Sequence, residues 1–443
     1  AYEKSRNQRG CMNLPASLEI KEGHLFCGGA DCVTLAEKFG TPLYVTDEVH
    51  IKENFRRYEA ALKQYTPNVQ LLYAAKANEN PVILKSLAEE GAGADVFSAG
   101  ELREAIDAGI SPDKLLFNGS SKTEEDLKSA VILGIKISVD SLDELRQLDA
   151  ITKELKKTVK IGFRVNPEIE VPTHPKIATG IRNSKFGIPA EMILDAYKEA
   201  LSMEYIEPVG MHCHIGSQIL ETEPFRIACG VIMETAAAVT KAGVKLEFVD
   251  FGGGLGIPYH RKENPDKAPT PEEYAEAVMP VFVESCKKAG ISPAFWVEPG
   301  RWMVGESTVL LTKVNSVKHV HKTFVNVDAG FNLLIRPAMY DSWHEVVAAN
   351  KADHADAGIY TVTGPICETG DIIAADRMLP EIEAKDIIAV LDAGAYGYAM
   401  SSQYNARPRC AEVLVNNGRA ELMRRAETYE DMTAAVQYPS WHK

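Results

Sequence analysis

The chain has 443 residues, of which 45% are apolar and 25% are charged, a composition typical of a globular protein with a large core. Its formal net charge of −14 argues against a nucleic-acid partner, because a phosphate-binding surface requires clustered Lys and Arg. No apolar run approaches about 18 residues, so we expect no membrane span. Residues 1–13 are polar and lack the apolar core of a secretory signal, which favours a cytoplasmic protein. A location in an organelle such as a plastid is the alternative if a targeting segment was removed.

Short apolar runs occupy residues 14–45, and residues 47–64 have the apolar spacing of a helix. Eight strand-like runs then alternate with helical stretches. The strand-like runs are 71–76, 94–97, 115–118, 136–140, 160–165, 209–215, 247–251 and 295–298. The helical stretches include 101–108, 124–133, 143–155, 190–201, 225–242 and 271–289. Eight alternations within about 250 residues predict a (β/α)8 TIM-type barrel rather than an open sheet.

After about residue 306 the pattern becomes β-rich, with short strand-like runs separated by turn residues. We therefore predict a barrel domain over 46–306 and a C-terminal all-β domain over 307–443. The segment 14–45 is also strand-like, so we assign it to the β domain.

The eight cysteines are scattered without a CxxC pair, so reduced thiols are expected rather than disulfide bonds. His212-Cys213-His214 contains metal-ligand residue types. On a strand, however, only His212 and His214 would share a face. A zinc site needs at least one more ligand, and no spacing indicates one, so we expect no metal.

Most of the strand-like runs end on a polar or charged residue, as the working face of such a barrel requires. Lys76 ends the first run, and an amine at this position is a candidate for Schiff-base formation with an aldehyde. The other polar ends are Asp95, Asn118, Asp140, Arg164, His214, Asp250 and Glu298.

A glycine run, Gly252-Gly253-Gly254, follows the seventh strand-like run, where barrels frequently bind phosphate through backbone N–H groups. A plain tight turn is the alternative, but the location favours the anion site. Ser217, which follows the sixth run, could add a hydroxyl to the same anion.

Glu298-Pro299-Gly300-Arg301 ends the eighth run. One interpretation is a structural ion pair between Glu298 and Arg301. The other is that Glu298 stabilises a cationic ring nitrogen while Arg301 binds an anionic substrate group. His214 could stack on an aromatic ring or be a hydrogen-bonded core histidine. An amine, a phosphate site, a stacking ring and a carboxylate for a ring nitrogen together indicate pyridoxal 5'-phosphate.

Five motifs then resemble those of diaminopimelate decarboxylases, which belong to the alanine-racemase-like, fold-type III enzymes that depend on pyridoxal phosphate. The motifs are Tyr73-Ala74-Ala75-Lys76-Ala77-Asn78, the segment from His212 to Gln218, Gly252-Gly253-Gly254, Glu298-Pro299-Gly300-Arg301 and the segment from Gly364 to Asp371. The resemblance runs from about residue 23 to 416. It implies a barrel with a C-terminal β domain, and a homodimer whose active sites are shared across the interface, with the β domain contributing substrate-site and interface residues.

The resemblance also implies residue roles. The catalytic residues would be Lys76, His214, Glu298 and Cys367, with Cys367 donating a proton to the α-carbon from the partner subunit. The cofactor-binding residues would be Lys76, Asp95, Arg164, His214, Ser217, Gly253, Gly254, Glu298, Pro299, Gly300, Arg301 and Tyr396. The substrate-binding residues would be Arg301, Arg336, Tyr340, Glu368 and Tyr396.

The implied reaction is decarboxylation of meso-2,6-diaminopimelate to L-lysine, the last step of lysine biosynthesis. The distal carboxylate of this substrate suits Arg336 and Arg301, and its distal ammonium suits Glu368. Ornithine has no distal carboxylate, so an ornithine decarboxylase should avoid a buried arginine there. A structural ion pair is the alternative for Arg336. A free cysteine is usually a small, buried apolar residue. The residues next to Cys367, which are Glu368 and turn residues, instead favour an exposed loop in which the thiol could donate a proton.

Three other functions are considered. The nearest is decarboxylation of another amino acid or polyamine precursor, such as ornithine, arginine or carboxynorspermidine. A non-catalytic regulatory relative is disfavoured by the intact Lys76, Glu298 and Cys367. A phosphosugar enzyme would explain the glycines but not Glu298 with His214.

Overall fold

The computed structural model describes residues 12–169, 179–180, 182, 184–262 and 264–442. Most of the polar N-terminal segment and Cys11 lie outside these residues. The seven cysteines inside them are free thiols. Within the described residues, no helix combines the length and the apolar character needed to cross a membrane.

The strands, in chain order, are β1 (Leu18–Lys21), β2 (His24–Cys27), β3 (Ala30–Asp31), β4 (Leu43–Asp47), β5 (Val69–Ala74), β6 (Gly93–Val96), β7 (Leu115–Phe117), β8 (Lys136–Val139), β9 (Val159–Asn166), β10 (Ile188–Pro189), β11 (Ile206–His212), β12 (Phe248–Asp250), β13 (Ala294–Val297), β14 (Thr308–His319), β15 (Thr323–Val327), β16 (Val346–Ala348), β17 (Gly358–Thr363), β18 (Ile372–Leu379), β19 (Ile387–Val390), β20 (Ala411–Asn416) and β21 (Arg419–Arg424).

The helices are α1 (Cys32–Phe39), α2 (Glu48–Lys63), α3 (Pro81–Glu89), α4 (Ala99–Asp107), α5 (Glu124–Leu133), α6 (Leu142–Leu155), α7 (Ile193–Leu201), α8 (Glu223–Lys241), α9 (Pro271–Ala289), α10 (Arg301–Val304), α11 (Arg336–Tyr340) and α12 (Tyr429–Thr433).

The chain divides into two compact units. The barrel unit comprises Ile51–Ile257 and Lys267–Met303, and the β unit comprises Ala1–His50, Pro258–Asp266 and Val304–Lys443. The boundaries predicted from the sequence put 258–266 in the barrel domain, whereas the structure groups this segment with the β unit. The reason is Arg261, whose buried guanidinium binds Asp392 at 2.8 Å and Glu306 at 2.5 Å, both within the β unit.

Eight parallel strands close the barrel in the order β5-β6-β7-β8-β9-β11-β12-β13, with β13 returning to β5. Helices α3 to α9 fall between successive barrel strands. Several begin at a side chain that caps the first free backbone N–H groups, as Thr270 does for α9 and Thr123 for α5. The predicted (β/α)8 barrel is therefore confirmed.

Ser141 and Glu144 have the spacing of a capping box at the start of α6, and the structure contains half of such a box. The Ser141 hydroxyl accepts the Glu144 N–H at 3.2 Å. The Glu144 carboxylate instead binds the buried ammonium of Lys122 at 2.8 Å. A buried charge requires a partner of opposite charge. This requirement outweighs the hydrogen bond that the Glu144 carboxylate would otherwise accept from the Ser141 N–H.

The β unit contains a nine-stranded sheet of mixed direction and a small antiparallel sheet, β1-β2-β3. The main path of the larger sheet is β18-β17-β15-β14-β4-β20-β21, and β19 joins β16 to β14. The N-terminal strand β4 lies between β14 and β20, so the predicted inclusion of the N-terminal segment in the β fold is confirmed. Apolar side chains pack on both sides of this sheet, for example Leu310 on one side and Leu311 on the other.

Candidate active site

Lys76 follows the first barrel strand in a short 3-10 turn, Ala75–Ala77, rather than ending the strand, because β5 stops at Ala74. Its ammonium donates a short hydrogen bond to the buried carboxylate of Asp95, which lies in the neighbouring strand β6. The Lys76 nitrogen also lies 4.6 Å from the centre of the Phe97 ring. The turn therefore places a primary amine at the carboxyl end of the barrel strands, with an anion and an aromatic ring fixing its direction.

Asn118, just past β7, links this ion pair to the other side of the barrel. Its side-chain amide donates to Asp95 Oδ1 at 2.5 Å and to Glu298 Oε1 at 2.7 Å. The second Glu298 oxygen lies 3.2 Å from His212 Nε2, and His212 Nδ1 lies 3.0 Å from the Ser138 hydroxyl. A continuous hydrogen-bonded network thus runs from Ser138 through Glu298 to Lys76.

The pKa values of three buried carboxyl groups, Glu298 and Asp95 in this network and Asp250 beside it, are shifted in different directions. Burial would raise the pKa of Glu298, but His212 and Lys76 together lower it below its usual range. Burial, and then the charge of Glu298, raise the pKa of Asp250 well above its usual range. The pKa of Asp95 is raised by burial and by Glu298 against the opposing effect of Lys76. Glu298 consequently keeps its negative charge, which can meet a cationic ring nitrogen.

The structure brings His212 to within 4.8 Å of Asp250 and Glu298, counted between possible ligand atoms. These residue types could hold a metal, and sequence spacing gave no sign that two carboxylates would join His212. Glu298, however, is held by Asn118 and His212, and Asp250 favours its neutral form. The cluster is better described as an ionised Glu298 in contact with His212, with a neutral Asp250 nearby.

His214 lies in the loop after β11, because the strand ends at His212 and not at residue 215 as predicted. Its Nδ1 accepts the backbone N–H of Gly253 at 3.1 Å, which leaves the proton on Nε2. Burial, and then the nearby Arg164 and Lys76, hold the pKa of His214 well below its usual value. His214 is therefore a neutral imidazole, suited to packing against a ring rather than to binding a charge.

The glycine run after β12 is required by close backbone contacts. A Cβ at Gly253 would lie 2.2 Å from the Glu298 carbonyl oxygen, and a Cβ at Gly254 would lie 2.4 Å from that of Gly216. Gly254 also has a φ of 115°, which favours glycine. The run thus packs the loop after β12 against the segments after β11 and β13.

Pro299, Gly300 and Arg301 connect β13 to α10. The Pro299 carbonyl accepts the Ala74 N–H at 3.2 Å, so this segment lies against the strand that precedes Lys76. Arg301 is buried and donates to the Ser217 hydroxyl at 2.9 Å. Glu298 and Arg301 do not form the structural ion pair considered above; Glu298 binds Asn118 and His212 instead.

Arg164, two residues before the end of β9, is buried with its guanidinium 4.4 Å from the centre of the Phe186 ring. Burial lowers its pKa, whereas Asp140 and Glu298 act to raise it. Arg164 therefore supplies a positive charge close to the anionic network.

In the β unit, Arg336 begins α11, and Tyr340 ends it. The Arg336 guanidinium lies 4.5 Å from the centre of the Tyr259 ring and 2.8 Å from His344 Nε2. His344 Nδ1 donates to the Leu391 carbonyl at 2.8 Å, so its Nε2 accepts from Arg336. This bond to a neutral ring orients the guanidinium without neutralising its charge.

Cys367 is exposed, as expected from its neighbours, whereas five of the other described cysteines are buried. Its sulfur lies 3.9 Å from the Tyr404 hydroxyl, which donates to Glu368 at 2.7 Å.

Tyr396 has a left-handed backbone with a φ of 57°.

Among the expected site residues, the structure brings Lys76, Asp95, Arg164, His214, Ser217, Gly253, Gly254, Glu298, Pro299, Gly300 and Arg301 together in the barrel unit. Arg336, Tyr340, Cys367, Glu368 and Tyr396 belong to the β unit, where Cys367 and Glu368 share Tyr404. Sequence reasoning missed the contacts that Ser138, Asn118, His212, His344 and Tyr404 make in the site. The position of Asn118 and His212 at strand ends was an available signal; the other three residues carried none.

Comparison with known proteins gives a consistent result. Residues 48–305 match the family model "Pyridoxal-dependent decarboxylase, pyridoxal binding domain". A diaminopimelate decarboxylase of Archaeoglobus fulgidus is 51% identical over 95% of this chain and 98% of its own length. The corresponding enzyme of Methanothermobacter thermautotrophicus is 43% identical, with 96% and 98% covered.

Among solved structures, the diaminopimelate decarboxylase of M. jannaschii in complex with L-lysine is similar with a TM-score of 0.91 at 38% identity. The similarity covers 96% of this chain and 98% of that one. The sequence motifs, the barrel with its β unit and these relatives agree: the chain belongs to the diaminopimelate decarboxylase family of pyridoxal-dependent enzymes.

Proposed function

We propose that this protein removes carbon dioxide from meso-2,6-diaminopimelate to produce L-lysine, with pyridoxal 5'-phosphate as its cofactor. Membership of the family and the names of its near full-length relatives support this function. The observation that carries it is the buried network in which Lys76, Asp95, Asn118 and Glu298 are joined across the barrel.

The residues of the barrel unit fit the proposed cofactor. Lys76 is a primary amine that can bond to an aldehyde, and ionised Glu298 matches a protonated pyridine nitrogen. Ser217 and the glycine run offer a hydroxyl and backbone N–H groups for the phosphate. When bound, this cofactor withdraws electrons from the substrate's α-carbon, which allows carbon dioxide to leave.

The protein's own groups then have distinct tasks. Asp95 orients the Lys76 amine through their hydrogen bond. Neutral His214 would pack on the cofactor ring and help to exclude water, and the positive charge of Arg164 would lie close to the anionic residues around the ring. Gly253, Gly254, Pro299, Gly300, Arg301 and Tyr396 complete the proposed cofactor-binding set.

The substrate would be recognised by its two distal charges. We assign the distal carboxylate to Arg301 and Arg336, and the distal ammonium to Glu368, with Tyr340 and Tyr396 as further contacts. The strongest physical support for this substrate is the burial of Arg336. The free energy of a buried guanidinium falls when it meets a carboxylate, and ornithine has no distal carboxylate.

Cys367 would return a proton to the α-carbon after carbon dioxide leaves. We further propose a homodimer in which Cys367 serves the active site that contains Lys76 of the other subunit. The exposure of Cys367 is compatible with such sharing.

The test is a substrate panel with the purified holoenzyme. We expect lysine and carbon dioxide from diaminopimelate, and little turnover of ornithine, arginine or carboxynorspermidine. Arg336→Ala should selectively weaken the diaminopimelate reaction, whereas Arg425→Ala, which removes an exposed ion pair with Asp431, should leave it unchanged. Preferential turnover of ornithine by the native enzyme would refute the assignment.

A further inference from the structure

Cys367 lies in the loop between β17 and β18, whose backbone is fixed largely by its own residues. Asp371 accepts the Ile366 N–H at 2.7 Å, and its own N–H binds the Glu368 carbonyl at 3.0 Å. These bonds shape the loop, but none of them sets the direction of the Cys367 thiol.

Asn405 contacts both the backbone and the sulfur of Cys367. Its Oδ1 accepts the Cys367 N–H at 3.1 Å, and its Nδ2 donates to the Cys367 sulfur at 3.2 Å. The opposite amide orientation would place a donor against the Cys367 N–H, so this pattern fixes which end of the amide faces the sulfur. The Asn405 side chain thereby fixes both the backbone N–H and the sulfur of Cys367.

The backbone at Asn405 favours this residue type. It has φ 59° and ψ 26°, within the left-handed region, in the turn Tyr404–Ala406. Asn adopts this conformation more readily than other residues with side chains, and Gly would provide no amide. The turn and the two bonds to Cys367 therefore depend on the same side chain.

Tyr404 completes the surroundings of the thiol. Its hydroxyl donates to Glu368 and lies 3.9 Å from the Cys367 sulfur. The hydrogen bond with Glu368, followed by the contact with Cys367, raises the pKa of Tyr404 to about 12, so its hydroxyl keeps its proton at neutral pH. The sulfur thus has an amide donor on one side and a protonated hydroxyl on the other.

We propose that Asn405 is a positioning residue that directs the Cys367 thiol and stabilises the thiolate left when the thiol gives up its proton. This inference rests on the proposed role of Cys367 as proton donor. In that step the S–H bond breaks and its electron pair stays on sulfur, while the new C–H bond uses the electron pair that departing carbon dioxide leaves to the substrate's α-carbon. The thiolate regains a proton from water. The Asn405 N–H donor lowers the energy of the charged sulfur, because hydrogen bonding to a charged form favours it.

The experiment compares Asn405→Asp with native holoenzyme and with Asn417→Asp. Asn405→Asp keeps the side-chain size and the acceptor for the Cys367 N–H but replaces the donor to sulfur with an oxygen. Asn417 is also exposed and left-handed, with a φ of 49°, and lies outside the Cys367 loop, so it controls for the general effect of the substitution.

For Asn405→Asp we expect kcat to fall about tenfold or more with little change in KM, because the lost bond stabilises a charge that forms during proton transfer. Alkylation of Cys367 by iodoacetamide, followed on its own peptide by mass spectrometry, should slow by a similar factor. Asn417→Asp should match the native enzyme in both measurements.

A double variant tests whether Asn405 acts through Cys367. Cys367→Ala with Asn405→Asp should be no slower than Cys367→Ala alone, since the group that Asn405 serves is already absent. Additive losses, or native alkylation rates in Asn405→Asp, would overturn the inference. If the native enzyme released no lysine, the proposed function would fail, while the alkylation rates would still decide whether Asn405 controls the thiol.

Discussion

Glu298 shows how a buried carboxylate is kept ionised. Asn118 donates to one oxygen, and His212 lies within hydrogen-bonding distance of the other. Burial alone would raise the pKa of Glu298, and His212 contributes most to the opposite shift. Because the proposed chemistry needs a negative charge at this position, His212 governs how acidic the solution can become before that charge is lost.

Replacing His212 with Leu should therefore raise the pKa of Glu298. The acid limb of the profile of kcat/KM against pH is expected to move to higher pH, by about one unit or more for the loss of a buried charge-assisted hydrogen bond. Ser138→Ala is the matched control, because it removes a contact of His212 and retains that between His212 and Glu298. Identical acid limbs in native enzyme and His212→Leu would contradict the argument.

For single residues, the sequence predicted which residue types lie in the site better than it predicted the contacts that they make. The polar residues at strand ends identified Asp95, Asn118, Asp250 and Glu298 as candidates. The sequence could not show that Asn118 bridges two carboxylates, because that bond joins residues 180 positions apart. The contacts of Asn405 with Cys367 depend likewise on a turn 38 residues away.

At the scale of elements, the alternation of strands and helices was sufficient to predict the barrel. Helix α3 was not identified, and the predicted ends of the first and sixth barrel strands, at residues 76 and 215, lie two and three residues beyond the observed ends. In both places apolar residues continue past the strand into the loop, and apolar character alone cannot separate a strand end from a buried loop. The difference matters because loop geometry orients Lys76 and His214.

The loop after β12 offers a test of how tightly these elements pack. Gly253→Ala would place a methyl group 2.2 Å from the Glu298 carbonyl oxygen, so we expect the free energy of unfolding to fall by about 1–3 kcal/mol. Cofactor retention should fall as well, because Glu298 must shift.

Gly230→Ala provides the matched control, since a Cβ at this position in α8 meets nothing within 4 Å. It should raise the free energy of unfolding by about 0.5–1 kcal/mol through helix propensity. Denaturant unfolding and cofactor content of both variants give the comparison. Equal stability of the two variants would show that the loop after β12 is not closely packed.

At the scale of the whole molecule, the chain crosses between its two units more than once. The barrel unit is interrupted by 258–266, which Arg261 ties to the β unit through two acidic residues. The sequence predicted two domains but not this excursion, because a nine-residue segment has too few residues to show a pattern of its own. The ion pairs that hold it join positions far apart in the chain.

The proposed shared active site predicts complementation between two inactive variants. Lys76→Ala and Cys367→Ala should each have little activity alone. After mixing under conditions that exchange subunits, random pairing of dimers should restore about a quarter of the native activity, because half of the dimers would contain one complete site of two. Activity that stays at the level of the separate variants, with exchange verified, would argue against sharing.

The most direct test of the account concerns the bond between Lys76 and the cofactor. Borohydride reduction of the holoenzyme, followed by digestion and mass spectrometry, should place the reduced pyridoxyl group on the peptide that contains Lys76. Lys76→Arg, which keeps the charge near Asp95, should yield no labelled peptide. A pyridoxyl group fixed to another lysine, or no labelled peptide from the native holoenzyme, would contradict the account.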